Sequence, residues 1–171
     1  MYIAKPDPNE YAPYYEPYIN KVQPDNLLEV LHLHTDSFTD FIKSIPEQKA
    51  DYAYAAKKWT VKEVLLHIID AERIFAYRAL RFARNDKTEL PGFDENDYVP
   101  FSNAGVRSLS SIVEEFTAVR YATITLFNSF DEAAFMRSGI ASNNTMSVRA
   151  LGFVLIGHAE HHRQILIERY W

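Results

Sequence analysis

The chain has 171 residues, 47 % hydrophobic and 24 % charged, which suits one globular domain with a sizeable core. With a net charge of −5 and no basic patch, its electrostatics argue against a nucleic-acid partner. It contains no cysteine, which excludes disulfides, thiolate-ligated zinc and a cysteine nucleophile, and suits a cytoplasmic protein. The N-terminus lacks an apolar signal core, and the longest apolar run, near residues 151–156, is far too short to span a bilayer, so no membrane association is expected.

Residues 1–24 hold five prolines and five tyrosines. Proline removes backbone donors and fixes φ, so we expect an irregular arm whose rings pack onto the body formed by residues 25–171. The first helix is expected from about Asp25, with Leu27, Leu28, Val30, Leu31 and Leu33 giving an apolar face that Phe38, Phe41 and Ile42 extend to about Ser44. Pro46 ends it, and a short helical piece is expected around Asp51–Lys57. The second helix has the clearest start in the chain, a capping box of Thr60 and Glu63. It runs to about Arg84, with Val64, Ile68, Ala71, Phe75 and Phe82 on one face and His67 on the adjoining seam.

Residues 85–107 contain Pro91-Gly92, Pro100 and Gly105 and read as a long irregular link, a kind of segment that often borders a functional site. A third helix is expected from Ser108 to about Phe130. A second link follows over residues 131–146, with one turn at Asp131–Phe135. The fourth helix starts at Thr145 or Ser147 and runs to about Arg169. No segment reads as a strand. Four amphipathic helices predict an all-α four-helix bundle. The second helix should be about 36 Å long. The link after it can reach back along that length, so the second and third helices can run parallel.

The fourth helix carries the main chemical signal. His158 and His162 are one turn apart on one face, the spacing with which a helix offers two imidazoles to a divalent metal. They interrupt the apolar series Leu151–Ile165 and Leu155–Arg169, a costly place for polar groups unless something satisfies them. His161 lies farther from the centre of that stripe. His67 on the second helix supplies a third imidazole. His32 and His34 point in different directions from the first helix and read as surface or partly buried residues.

Three segments together resemble the DinB-like (YfiT-like) superfamily of four-helix-bundle metalloproteins. They are Trp59-Thr-Val-Lys-Glu-Val-Leu-Leu-His67-Ile-Ile-Asp70-Ala-Glu72-Arg73, Leu90-Pro-Gly-Phe-Asp94, and Gly157-His158-Ala-Glu-His161-His162-Arg163-Gln164-Ile165-Leu166. The resemblance covers about residues 25–169 and leaves the arm outside. It implies an up-down-down-up bundle in which His67, His158 and His162 hold one divalent ion, commonly nickel or zinc. It also implies a metal-dependent hydrolase, or an S-transferase or isomerase using a low-molecular-weight thiol such as bacillithiol or mycothiol.

Three neutral imidazoles leave an ion its full charge and open positions, the arrangement of a catalytic rather than a structural site. With no cysteine in the chain, any thiol must come from outside. Asp70, Glu72 and Glu160 are weak candidates for a catalytic base, for orienting a ligand imidazole, or for pairing with Arg73 or Arg163. Asp94, Phe93 and Tyr98 read by default as solvated loop residues, with the alternative that Asp94 approaches the mouth of the site and Phe93 and Tyr98 form an apolar wall there. A small-molecule substrate and a homodimer are the expected partners. Two rivals compete with catalysis: a non-catalytic, stress-related metal-binding protein and a metal-free all-α interaction module.

Overall fold

The computed structural model describes residues 1–171. Four long helices form the bundle: α2 (Leu27–Ser44), α3 (Val61–Ala83), α5 (Leu109–Asn128) and α7 (Val148–Tyr170). Short helical turns α1 (Glu16–Ile19), α4 (Glu95–Tyr98) and α6 (Glu132–Met136) decorate the connections. No helix is long and apolar enough to cross a membrane.

Start signals written in the sequence set the long helices. Thr60 accepts from the Glu63 backbone N–H at 3.2 Å, while the Glu63 carboxylate accepts from the Thr60 N–H at 2.7 Å. Ser108 caps α5 and Ser147 caps α7 through the N–H groups of Ser111 and Ala150.

Side-chain pairs give the helix directions. Leu27 lies beside Gly152 and His34 beside Glu160, so α2 and α7 run parallel. Lys62 reaches the Arg107 carbonyl and Glu72 binds Arg120, so α3 and α5 run parallel. Phe38 meets Phe116 while His34 meets Arg120, which sets α2 against α5, and the Tyr170 hydroxyl donates to the Trp59 carbonyl, which sets α7 against α3. The order is up-down-down-up, with the 85–107 link carrying the chain back along the bundle.

The apolar core falls into two clusters. One gathers the arm, the start of α2, the end of α3 and the first half of α7; the other gathers the end of α2, the start of α3 and the end of α7. Between them lies a belt of buried polar side chains: His34, His67, Glu72, Arg120 and His158. Arg120 is fully buried, grips Glu72 through two bonds of 2.8 Å and donates to His34 Nδ1 at 2.7 Å. His34 Nε2 lies 3.0 Å from Glu160 but is poorly aligned with it. Burial lowers the His34 pKa, and the neighbouring Glu160 only partly offsets this. His34 is thus a buried core residue bonded through Nδ1, which corrects its reading as a surface or partly buried histidine. Only the far side of the bundle, across the α2–α5 contact, explains it.

Other expectations also need correction. Residues 138–147 form a two-stranded antiparallel hairpin, β1 (Ser138–Ala141) and β2 (Asn144–Ser147). Its two central residues, Ser142 and Asn143, both have positive φ (51° and 62°), the geometry of a type I′ turn. The arm is not wholly irregular, since α1 and two 3-10 turns punctuate it, and the link contains α4. The helical piece expected at Asp51–Lys57 is absent; a 3-10 turn sits earlier, at Glu47–Lys49. There Pro46 fixes φ at the entry to the turn.

Candidate metal centre

The antiparallel crossing of α3 and α7 brings His67, His158 and His162 together, with one ring nitrogen of each within 4.8 Å of the others. His158 Nε2 faces His67 Nε2 at 3.0 Å and His162 Nε2 at 3.1 Å. Aromatic rings enclose the cluster: Trp59 on His67 at 5.0 Å, and Phe75 and Tyr18 edge-on to His158 at 5.9 and 5.8 Å.

Burial dominates the electrostatics. It holds His67 down to about 4, opposed by the charge of Glu95, and His162 down to about 3, helped by the neighbouring histidines. It pushes His158, the most enclosed of the three, well below the ordinary value. The three rings are therefore neutral at pH 7, the state a metal ligand requires. A neutral imidazole has one donor and one acceptor nitrogen, so three Nε2 atoms at one point cannot all be satisfied by hydrogens. One divalent cation placed among them satisfies all three, and imidazole donors accept zinc, nickel, copper or iron without choosing among them. His161 stands outside the group, its ring against Tyr18 at 5.2 Å.

The cluster opens on a cavity of about 260 Å³. Its walls come from Trp59 and α3, from α7, from the arm through Tyr14, Tyr15 and Tyr18, from the 85–107 link through Phe93 and Glu95, and from the hairpin turn through Ser142. The arm is held there by close contact. A Cβ on Gly157 would stand 2.0 Å from the Tyr18 carbonyl oxygen, so only glycine lets the arm backbone lie flat on α7. Arg149 on α7 adds an ion pair to Glu10 of the arm. The hairpin positions the opposite wall. Leu90 donates to the Ile140 carbonyl at 2.9 Å and accepts from the Ser142 N–H at 3.1 Å, which pins Pro91–Glu95 over the site.

Asp70, Glu72 and Glu160 do not line this cavity. Asp70 pairs with Arg73, Glu72 with Arg120, and Glu160 with Arg163 and His34. None of them reaches the second nitrogen of a cluster histidine. Asp94 is spent as the cap of α4, accepting from the Asn96 N–H at 2.9 Å. The adjacent Glu95 is the carboxylate that borders the cavity. Phe93 lines it, whereas Tyr98 only backs Phe93, at 5.3 Å. The sequence hinted at Glu95 only through its place beside Asp94 in the link. Nothing in the sequence pointed to Arg78 or Ser142, two further lining residues.

The sequence model of the DinB superfamily matches residues 31–166. No functionally curated protein matches the sequence. Two solved structures are similar in fold. The first, YfiT from Bacillus subtilis, is described as a probable metal-dependent hydrolase with an unusual four-helix bundle topology; it superposes with a TM-score of 0.72 at 16 % identity, over 98 % of this chain and 93 % of that one. The second, a mycothiol-dependent maleylpyruvate isomerase, gives a TM-score of 0.66 at 9 % identity, over 85 % of this chain and 61 % of that one.

Proposed function

The chain belongs to the DinB superfamily, and from that premise we propose that it is a divalent-metal-dependent enzyme acting on a small molecule, either as a hydrolase or as a low-molecular-weight-thiol transferase. One observation carries the reading: three desolvated imidazoles converge at the floor of a cavity. In this reading His67, His158 and His162 hold a nickel or zinc ion. Bound there, the ion would lower the pKa of a water or thiol and so supply a nucleophile near neutral pH. The group has three members rather than four and faces an open cavity, which favours catalysis over a purely structural ion.

The protein groups around the histidines have separable tasks. Trp59, Phe75 and Tyr18 pack on the rings and keep bulk water away, which strengthens the electrostatics inside. Glu95, the one carboxylate on the cavity wall, is our candidate base, taking the proton that the water or thiol gives up. The thiol-transfer variant has its own support. A second cavity of about 250 Å³ shares Trp59 and His162 with the first and has Lys57 and Lys58 at its rim. Two chambers meeting at one centre suit two substrates.

Elemental analysis of untagged protein tests the reading. One divalent ion per chain is expected, lost in His67→Ala, His158→Ala and His162→Ala. Full metal retention by any of the three would refute the ligand set. A screen of esters, amides and thiol-plus-electrophile mixtures should yield a reaction that stops on chelation and returns on reloading. Equal rates with and without metal in every such reaction would remove the catalytic role.

A further inference from the structure

Three cationic side chains are buried in this protein: Lys62, Arg78 and Arg120. Two of them are neutralised. Lys62 pairs with Asp51 at 2.6 Å and Arg120 with Glu72 at 2.8 Å. Arg78, only 3 % exposed, has no carboxylate within ion-pair distance. Its Nη2 donates to the Pro91 carbonyl at 3.1 Å and the Ser142 hydroxyl at 2.9 Å, both neutral acceptors, and Tyr15 stands next to it. Burying a guanidinium without a counter-charge is costly, and the cost falls on the folded state unless an anion arrives from outside. The guanidinium borders the same cavity as His67, His158 and His162.

We infer that Arg78 is an anion subsite that receives the carboxylate of a small substrate while the rest of that molecule extends towards the three histidines. This rests on reading the cavity as the substrate chamber. The chemistry is specific. The guanidinium is planar and permanently charged, and its remaining N–H groups match the two oxygens of a carboxylate. Pro91, Ser142 and the Phe93 ring, 6.0 Å from the guanidinium carbon, hold it in place, so little freedom is lost when a ligand binds. The aromatic lining from Tyr14, Tyr15, Tyr18, Trp59, Phe75 and Phe93 suits an apolar body of modest size.

Calorimetric titration with benzoate and butyrate, and with benzamide and butyramide as uncharged isosteres, tests this on metal-loaded and metal-stripped protein. At least one carboxylate should bind, about thirty-fold tighter than its amide. Arg78→Gln should abolish that preference. The preference should survive removal of the metal, because Arg78 supplies it. If Arg78→Gln does not fold, Arg78→Lys, which keeps the charge but not the fork, should retain a weakened preference. The inference is overturned if neither carboxylate binds, or if acids and amides bind alike. It is equally overturned if binding follows the metal and ignores Arg78, which would put the carboxylate on the ion. Metal content measured on the same samples keeps the two readings apart: a protein without metal that still prefers benzoate through Arg78 loses the metal centre and keeps the subsite.

Discussion

At the scale of single residues, the belt across the core contains two kinds of polar group with opposite roles. Glu72 and Arg120 satisfy each other completely and leave nothing for a ligand. The three histidines meet only one another at Nε2 and cannot all be satisfied there by hydrogens, which is what a binding site requires. The difference is measurable. Glu72→Gln leaves the buried Arg120 unpaired and should destabilise the fold by roughly 3–5 kcal/mol, read from denaturant midpoints. Because the pair lies outside the histidine cluster, metal content should not change. A loss of metal with little loss of stability would instead connect Glu72 to the site. His158 and His162 were legible in the sequence because they broke an apolar stripe at helical spacing. Arg78 was not, because an arginine on the outer half of a helix looks solvated until the neighbours that bury it, Tyr15, Pro91 and Ser142, are known.

At the scale of elements, helix start signals were the most readable. The capping box at Thr60–Glu63 and the serines before α5 and α7 fixed the boundaries closely, since each satisfies backbone groups within a few residues of itself. The hairpin was hidden for the complementary reason. Its strands have four residues each, and its turn uses Ser142-Asn143 in place of the glycine-containing pair that usually signals positive φ. Yet the hairpin holds the link over the cavity, so the unread element shapes the candidate site. The arm is held by a close backbone contact that also left no pattern in the sequence. Gly157→Ala should push the arm off α7, because the methyl group meets a backbone oxygen that cannot move aside on its own. We expect a loss of roughly 1–3 kcal/mol and faster proteolysis within residues 1–24, seen by mass spectrometry of timed digests. An arm as protected as in the parent protein would contradict this docking.

At the scale of the whole molecule, metal and acid should act on stability in opposite directions. An ion that binds only the folded chain adds roughly 4 kcal/mol at about 1,000 times its Kd. For a domain of this size that raises Tm by roughly 8–16 °C, and a chelator should reverse it. The pH dependence of the metal-free protein follows from the buried rings. Unfolded histidine takes up a proton near 6.5, whereas the fold holds His67 at about 4 and His162 at about 3. The unfolded chain is therefore protonated first, so this contribution is intact above about pH 6.5 and is lost progressively as pH falls towards about 3. Melting curves across that range should shift downward, and less so in His67→Gln. The up-down-down-up order was legible only because a link long enough to return was visible and the family resemblance supplied the order; helical periodicity alone allows either direction. The residues matched by the family begin at 31, whereas the tyrosines that close the chamber lie at 14, 15 and 18. In the reading proposed above, the arm lends tyrosines to a chamber whose imidazoles and Arg78 come from the helices, so exchanging the leading segment would alter the mouth of the chamber while leaving the imidazole triad undisturbed.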